Sequence, residues 1–188
     1  MIPVTAFKGQ SVGIFGLART GLSAARALKS GGAKVIAWDD KDATRLAAAS
    51  ENVPLNPWQR WPWPDLKALV LSPGVPLTHP APHPIVLHAR SAGVEVIGDM
   101  DLFARTIGND TKNVAPVVAI TGTNGKSTTT ALIGHILQSC GFSAEIGGNI
   151  GKAVLDLNPP NGKTVYVLEV SSYQIDLSPR LSADVTVL

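Results

Sequence analysis

The sequence predicts an α/β protein: a doubly wound parallel sheet followed by a second α/β unit built around a phosphate-binding loop. Three observations predict it. Short apolar, β-branched runs alternate with segments of helical spacing along the chain. A glycine-bearing turn, residues 16–21, follows the first such run and opens a helix. A second glycine-bearing loop, TGTNGKST at residues 121–128, stands between another buried-type run and another helix.

Composition narrows the classes. The chain has 188 residues, enough for one large domain or one and a half ordinary ones. Its formal net charge is only +2, with acids and bases interspersed, so neither a nucleic-acid partner nor a membrane surface is expected. Cys140 is the one cysteine, which leaves no disulfide framework and no cysteine zinc cluster. Residues 1–10 lack the apolar core of a signal peptide, and no apolar run approaches bilayer-spanning length. A cytoplasmic protein without membrane insertion is expected.

Residues 11–15 (SVGIF) form the first expected strand, and Leu22, Ala25 and Leu28 lie on one side of the helix after it. Gly31 and Gly32 suit that helix's end. Residues 34–39 (KVIAWD) are the second strand. This is a Rossmann-like βαβ unit, with G-x-A-x-x-G in the place of the dinucleotide fingerprint and Asp39 at the distance of a ribose-binding acid. Ala18 replaces the second glycine, so a tight turn that binds nothing stays open as an alternative. Residues 43–49 read as an exposed helix. Residues 54–64 carry Trp58, Trp61 and Trp63 between prolines, which no regular element tolerates. A surface loop with its rings packed on the domain is expected, with ligand stacking as the alternative. Residues 68–71 are a third strand that runs into Ser72-Pro73-Gly74, a turn where open α/β sheets place ligands. His79 and His83 read as loop histidines. A helix at 85–92, a strand at 94–97 and a helix at 99–106, with Asp99 as N-cap, complete this half.

Residues 107–115 are polar and aperiodic, the expected linker between domains 1–112 and 113–188. Strand 117–120 then leads into Gly122, Thr123, Asn124, Gly125, Lys126, Ser127 and Thr128. Glycines let backbone N–H groups curl around an anion, Lys126 brings a charge to the β/γ-phosphates, and Ser127 offers a hydroxyl to Mg2+. The general pattern G-x-x-x-x-G-K-[ST] wants a glycine where this chain has Ile120, so the loop is shorter. Gly141 stops the helix, a short strand is expected near 144–146, and a Gly-rich turn with Asn149 follows. Strand 164–169 ends on Glu169, placed as the second anchor of a metal beside a phosphate loop. About three strands are expected in this half, the last at 183–188. A strand so placed, with no crossover after it, points to a truncated P-loop domain and a longer parent protein.

Residues 121–128, residues 147–151 (GGNIG) and residues 168–174 (LEVSSYQ) together resemble the ATP-binding central domain of the Mur ligases, whose phosphate loop is short in this way. In the first half, residues 16–23 (GLARTGLS), 72–74 (SPG) and 98–103 (GDMDLF) resemble the branch of that family that joins D-glutamate to UDP-N-acetylmuramoyl-L-alanine. The resemblance implies an ATP-dependent amide ligase of peptidoglycan synthesis, with ATP and Mg2+ as cofactors and a monomeric parent. It implies that the first domain holds the UDP end of the substrate through Arg19, Thr20, Gly21, Asp39, Asp40, Lys41, Ser72, Pro73 and Gly74. Lys41 stands where the family commonly has arginine. Asn149, Ser171 and Gln174 match positions near the muramoyl part or the domain junction. Lys126 and Glu169 take the catalytic roles, and Ser127 and Glu169 the metal. The implied chemistry is an acyl-phosphate made from ATP and opened by the amine of D-glutamate. Further metal ligands and a third domain belong to the family beyond these residues, so the chain alone is expected to be inactive. A folylpolyglutamate synthase, a nicotinamide-dependent oxidoreductase and a UDP-sugar-binding module without catalysis are the alternatives.

Overall fold

The computed structural model describes residues 1–107 and 115–188. The described elements are β1 (Ser11–Phe15), α1 (Arg19–Ser30), β2 (Lys34–Trp38), α2 (Asp42–Ser50), β3 (Leu66–Leu71), α3 (Pro84–Ser91), β4 (Glu95–Ile97), α4 (Asp99–Ile107), β5 (Val117–Ile120), α5 (Lys126–Ser139), β6 (Ser143–Gly148), β7 (Thr164–Glu169), α6 (Ser172–Asp176) and β8 (Val185–Val187). Most of the expected linker, residues 108–114, lies outside the described residues, as does the expected boundary at 112.

Two four-stranded sheets result, in the orders β2-β1-β3-β4 and β6-β7-β5-β8, and every pairing is parallel. The strands β1, β3 and β7 lie inside their sheets and are covered on both faces, which is why their runs are nearly continuously apolar rather than alternating. In the first sheet the chain moves from β1 to β2 on one side, then to β3 on the other. The loops after β1 and β3 therefore part, and a crevice opens at the carboxyl ends of the strands. In the second sheet β5 lies between β7 and β8, so its loop is flanked by the ends of both.

Alternate residues of β3 feed two cores. Ala68 and Val70 enter one, with Val12, Ile14 and the alanines of α1. Leu69 and Leu71 enter the other, with Phe15 and α3. The first core does not stop at the first sheet. It includes Val117, Ala119, Tyr166 and Leu168 from the second sheet, and Phe103 of α4 meets Tyr166 edge-on at 5.0 Å between ring centroids. The opposite face of the second sheet, Ile120, Val165 and Val167, packs against Ile133 and Leu137 of α5. Hydrogen bonds reinforce the union: Ile2 N–H donates to the Leu155 carbonyl at 2.8 Å, and Gly98 N–H to the Leu177 carbonyl at 2.7 Å.

The fold differs from expectation at identifiable places. Among the described residues the second half has four strands rather than about three, and the strand expected near 144–146 is β6, which spans six residues and takes in Gly147 and Gly148. Those glycines stay in register with Leu168 and Glu169. β3 begins at Leu66, and Asp99 is the first residue of α4 rather than the residue ahead of it. In α2, Ala48 is fully buried. The tryptophan segment holds two short 3-10 turns, and Trp61 and Trp63 are core residues at 4% and 6% exposure. Each indole N–H is satisfied within the segment, on the carbonyls of Asn56 and Trp58. Gly13 makes room for Trp61: a Cβ there would sit 2.4 Å from the indole ring. Trp61 and Trp63 so placed offer no face for ligand stacking, and Trp58 is half-buried against them.

Gly21 fixes how closely α1 approaches the first turn, since a Cβ on it would fall 1.8 Å from the Gly16 carbonyl oxygen. Backbone cannot yield as a side-chain tip does. Gly21→Ala is expected to destabilise the chain by about 3 kcal/mol, the upper end for overpacking, read by urea unfolding.

Candidate functional site

At the crevice of the first sheet, Asp39 is 8% exposed and its carboxylate organises the turn. Oδ2 accepts from the Leu17 N–H at 2.6 Å and Oδ1 from the Lys41 N–H at 2.8 Å. The Ser72 hydroxyl donates to the Gly16 carbonyl at 2.7 Å, so the end of β3 is tied to the end of β1. Gly16 holds φ +90°, and a Cβ there would meet Ser72 Cβ at 2.6 Å. These contacts frame a cavity of about 290 Å3, and Thr20, Asp39, Asp40, Lys41, Ser72 and Gly74 all line it. Gly21 packs behind it.

A second cleft, of about 520 Å3, begins where the first ends. Gly74 and Pro76 line both. Its walls are Pro73 and His79 from the first half, and Asn149, Ser171 and Tyr173 from the second. A long ligand seated in the first cavity therefore has a path toward the second sheet.

There the loop after β5 turns through Gly122 (φ +127°) and Gly125 (φ +77°), backbone that side chains with a Cβ rarely adopt. Gly125 is the N-cap of α5 and brings no side chain to the cap. The N–H groups of the first turn, with the positive end of the helix dipole, face the loop mouth. Thr123, Asn124, Ser127 and Thr128 are exposed around it. Lys126 Nζ arches over the loop and donates to the Gly122 carbonyl at 2.7 Å.

Register brings the metal candidates together. Glu169, at the end of β7, pairs with Ile120, the last residue of β5. It is 1% exposed, and both carboxylate oxygens are hydrogen-bonded. Oε2 accepts from the Ser127 hydroxyl at 2.7 Å and Oε1 from the Asn149 side-chain amide at 2.9 Å. Ser127 and Glu169 are hard oxygen donors beside a phosphate loop, a set that fits Mg2+. No group of three or more His, Cys, Asp or Glu gathers among the described residues, so water and phosphate oxygens would complete such a coordination shell.

Arg19, Ser171 and Gln174 belong to the junction. The Arg19 guanidinium points away from the first cavity and donates to the Gly151 and Asn149 carbonyls at 2.6 and 2.7 Å. Ser171 caps α6 in a reciprocal capping box with Gln174. Gln174, 1% exposed, donates from Nε2 to both oxygens of Asp99 at 3.3 and 3.4 Å. The Ser-x-x-Gln spacing is a capping signature that can be read from sequence. His83 and Tyr173 carried no such signal. His83 caps α3, its Nδ1 accepting from the Ile85 N–H, and its Nε2 faces Asp40 at 3.1 Å on the cavity wall.

Residues 10–98 match the family model described as Mur ligase MurD-like, N-terminal domain, and residues 120–187 match the Mur ligase middle domain. The chain belongs to the Mur ligase family. All of it aligns, at 59% identity, with a protein of Phenylobacterium zucineum named UDP-N-acetylmuramoylalanine--D-glutamate ligase. Proteins of the same name from Caulobacter vibrioides and Rhodopseudomonas palustris are 56% and 55% identical over the whole chain. The chain spans 40% of the length of these curated relatives. The crystal structure of the UDP-N-acetylmuramate-alanine ligase of Thermotoga maritima matches over 86% of this chain and 37% of its own length, with a TM-score of 0.52 and 21% identity. That match shows the Mur ligase fold. No described helix is long and apolar enough to cross a membrane.

Asp99 gives the junction a pH dependence. Burial pushes its carboxyl above the usual carboxylate value, against the Gln174 hydrogen bond, its backbone bonds and the charge of Arg19. The native state thus keeps this proton to higher pH than the unfolded chain does. The group's contribution to stability is full below its unfolded value and is lost as pH rises through the raised one. Asp99→Asn keeps an acceptor for Gln174 and cannot ionise. Its stability relative to wild type is expected to rise between pH 4 and pH 8, measured by urea unfolding.

Proposed function

We propose that these residues form the UDP-substrate site and the phosphate loop of an ATP-dependent ligase that adds D-glutamate to UDP-N-acetylmuramoyl-L-alanine, working in the cytoplasm. The observation that carries it is continuity: a nucleoside-sized cavity is continued by a cleft to Asn149, whose side chain holds the Glu169 carboxylate beside the phosphate loop. Ligation is proposed for a protein that contains these residues, and the two binding steps for the residues themselves. Residues 1–112 and 113–188 are the two domains in this reading.

The chain's groups divide the work. The cavity at Thr20, Asp39, Lys41 and Ser72 seats the UDP end, with Lys41 near the diphosphate. The cleft past Gly74 leads the sugar and its L-alanyl carboxylate toward Asn149 and the phosphate loop. Loop N–H groups and Lys126 hold the β- and γ-phosphates of ATP, so that the carboxylate oxygen attacks the γ-phosphorus in line. Ser127 and Glu169 would hold Mg2+, which when bound supplies charge neutralisation at the transferring group. The product is an acyl-phosphate plus ADP. The amine of D-glutamate then adds to the acyl carbon, and phosphate leaves as the amide forms.

A nicotinamide reading of the first turn has less support. In a dinucleotide site the acid after β2 faces a ribose and turn N–H groups face the pyrophosphate. A dinucleotide in that turn would also leave the phosphate loop at residues 121–128 without a role.

Calorimetry on the chain tests the proposal. UDP is expected to bind one to one, and Lys126→Ala to weaken Mg2+·ATP by about tenfold or more while leaving UDP affinity unchanged. Glu169→Gln should cost about 10–100-fold in the Mg2+ dependence of nucleotide binding. Tight NADH binding with no response to UDP would overturn the proposal.

A further inference from the structure

Arg19 is exposed, yet both terminal nitrogens of its guanidinium are hydrogen-bonded. Besides the Gly151 and Asn149 carbonyls, Nη2 reaches the Gly148 carbonyl at 3.4 Å. Three carbonyls of one short turn converge on one guanidinium. They do so because Gly148 and Gly151 hold φ of +104° and +61°, which turns the peptide planes inward.

The same turn is pressed against the end of β7. The Asn149 N–H donates to the Glu169 carbonyl at 2.8 Å, and a Cβ on Gly148 would lie 2.4 Å from that oxygen. Asn149 then reaches the Glu169 carboxylate with its side chain, and the other oxygen of that carboxylate takes the Ser127 hydroxyl. A continuous polar chain thus runs from Arg19 through Asn149 and Glu169 to Ser127. At its other end, Ala18 and Thr20, the neighbours of Arg19, line the first cavity.

We propose that Arg19 is a positioning residue that couples occupancy of the first cavity by a nucleoside diphosphate to the alignment of Glu169 and Ser127 for a metal-bound nucleotide. The proposal rests on the two-site reading above. A ligand against Ala18 and Thr20 fixes the first turn of α1, and Arg19 carries that restraint to the turn that orients Asn149. Coupling of this kind is reciprocal: each ligand raises the affinity of the other by the same factor. The planar fork of arginine reaches separate carbonyls at once, and a lysine ammonium is a single point, so lysine only partly replaces it.

The test is calorimetric titration of the wild-type chain, Arg19→Ala and Arg19→Lys with Mg2+·ATPγS, each with and without saturating UDP. In wild type, UDP is expected to raise nucleotide affinity about fivefold or more, the low end of ordinary coupling. In Arg19→Ala the factor falls to about one while UDP affinity alone stays within about twofold, and Arg19→Lys lies between. Amide hydrogen exchange at residues 148–151 should speed up in Arg19→Ala without a change in the protection of β1 and β3. Asn149→Ala should abolish the same coupling, and the double variant should be no worse than either single one. A coupling factor that survives in Arg19→Ala overturns the proposal. So does loss of UDP affinity in that variant, which would make Arg19 a direct substrate contact, or a parallel loss of both affinities with lowered melting temperature, which would make it structural only. A wild-type chain that binds both ligands without coupling sinks this inference alone. A wild-type chain that binds neither sinks the two-site reading with it.

Discussion

A carboxylate buried to 1% exposure is costly to leave unpartnered, and at Glu169 neither oxygen is unpartnered. That one requirement organises the second half of the molecule. The partner on one side is the Ser127 hydroxyl, one residue into the helix after the phosphate loop. On the other side it is the Asn149 amide, from the glycine turn after β6. Parallel register makes both meetings possible, since it sets Glu169 beside Ile120 and beside Gly148. A slip of one residue would reverse the side chain to the other face of the sheet and separate all three. The apolar pairing of β5, β6 and β7 is therefore what aims the polar site.

The two sheets meet the same logic at larger scale. Their shared core, with Phe103 against Tyr166, sets the distance from the first cavity to the phosphate loop before any ligand arrives. Polar contacts at the rim then fix orientation: Arg26 pairs with Asp156, and Asp101 accepts from the Arg180 N–H. The ligand path is a property of this packing, because its walls come from both halves. The substrate proposed above, a nucleotide at one end and a reacting carboxylate at the other, would need such a fixed span, since small displacements at the reacting end cost rate steeply.

Much of this was legible in the sequence where the physics is local. Buried parallel strands announce themselves as apolar runs, and glycine turns with positive φ announce themselves by residue type. Lys126, Ser127 and Glu169 could be grouped because a loop between strand and helix, and an acid at a strand end, are local patterns. Strand ends were less legible, and β6 ran through its two glycines because neighbouring strands, not propensity, decide where pairing stops. The tryptophan rings pack on the domain as expected, because proline density excludes long regular elements without excluding burial. Arg19 illustrates the limit: its carbonyl partners lie about 130 residues away, and nothing in GLARTG distinguishes an arginine facing a cavity from one facing another sheet. His83 is similar, since its partner Asp40 lies 43 residues earlier across the crevice.

The short phosphate loop is where local and distant constraints meet. With no glycine at position 120, β5 continues as paired strand to the loop's edge, and the Val170 N–H bonds to the Ile120 carbonyl. Curvature is then confined to Gly122 and Gly125. Because Gly125 caps α5 without a side chain, no protein oxygen from the cap residue competes for the first-turn N–H groups. A serine or aspartate there would be strained at φ +77°, would gain only about a few tenths of a kcal/mol as a cap over glycine, and would place an oxygen where an anion belongs. With no side-chain cap at its start, α5 is held in place by the packing of Ile133 and Leu137 under the sheet. An anion site at a helix start is thus sustained by apolar contacts two turns further along the same helix.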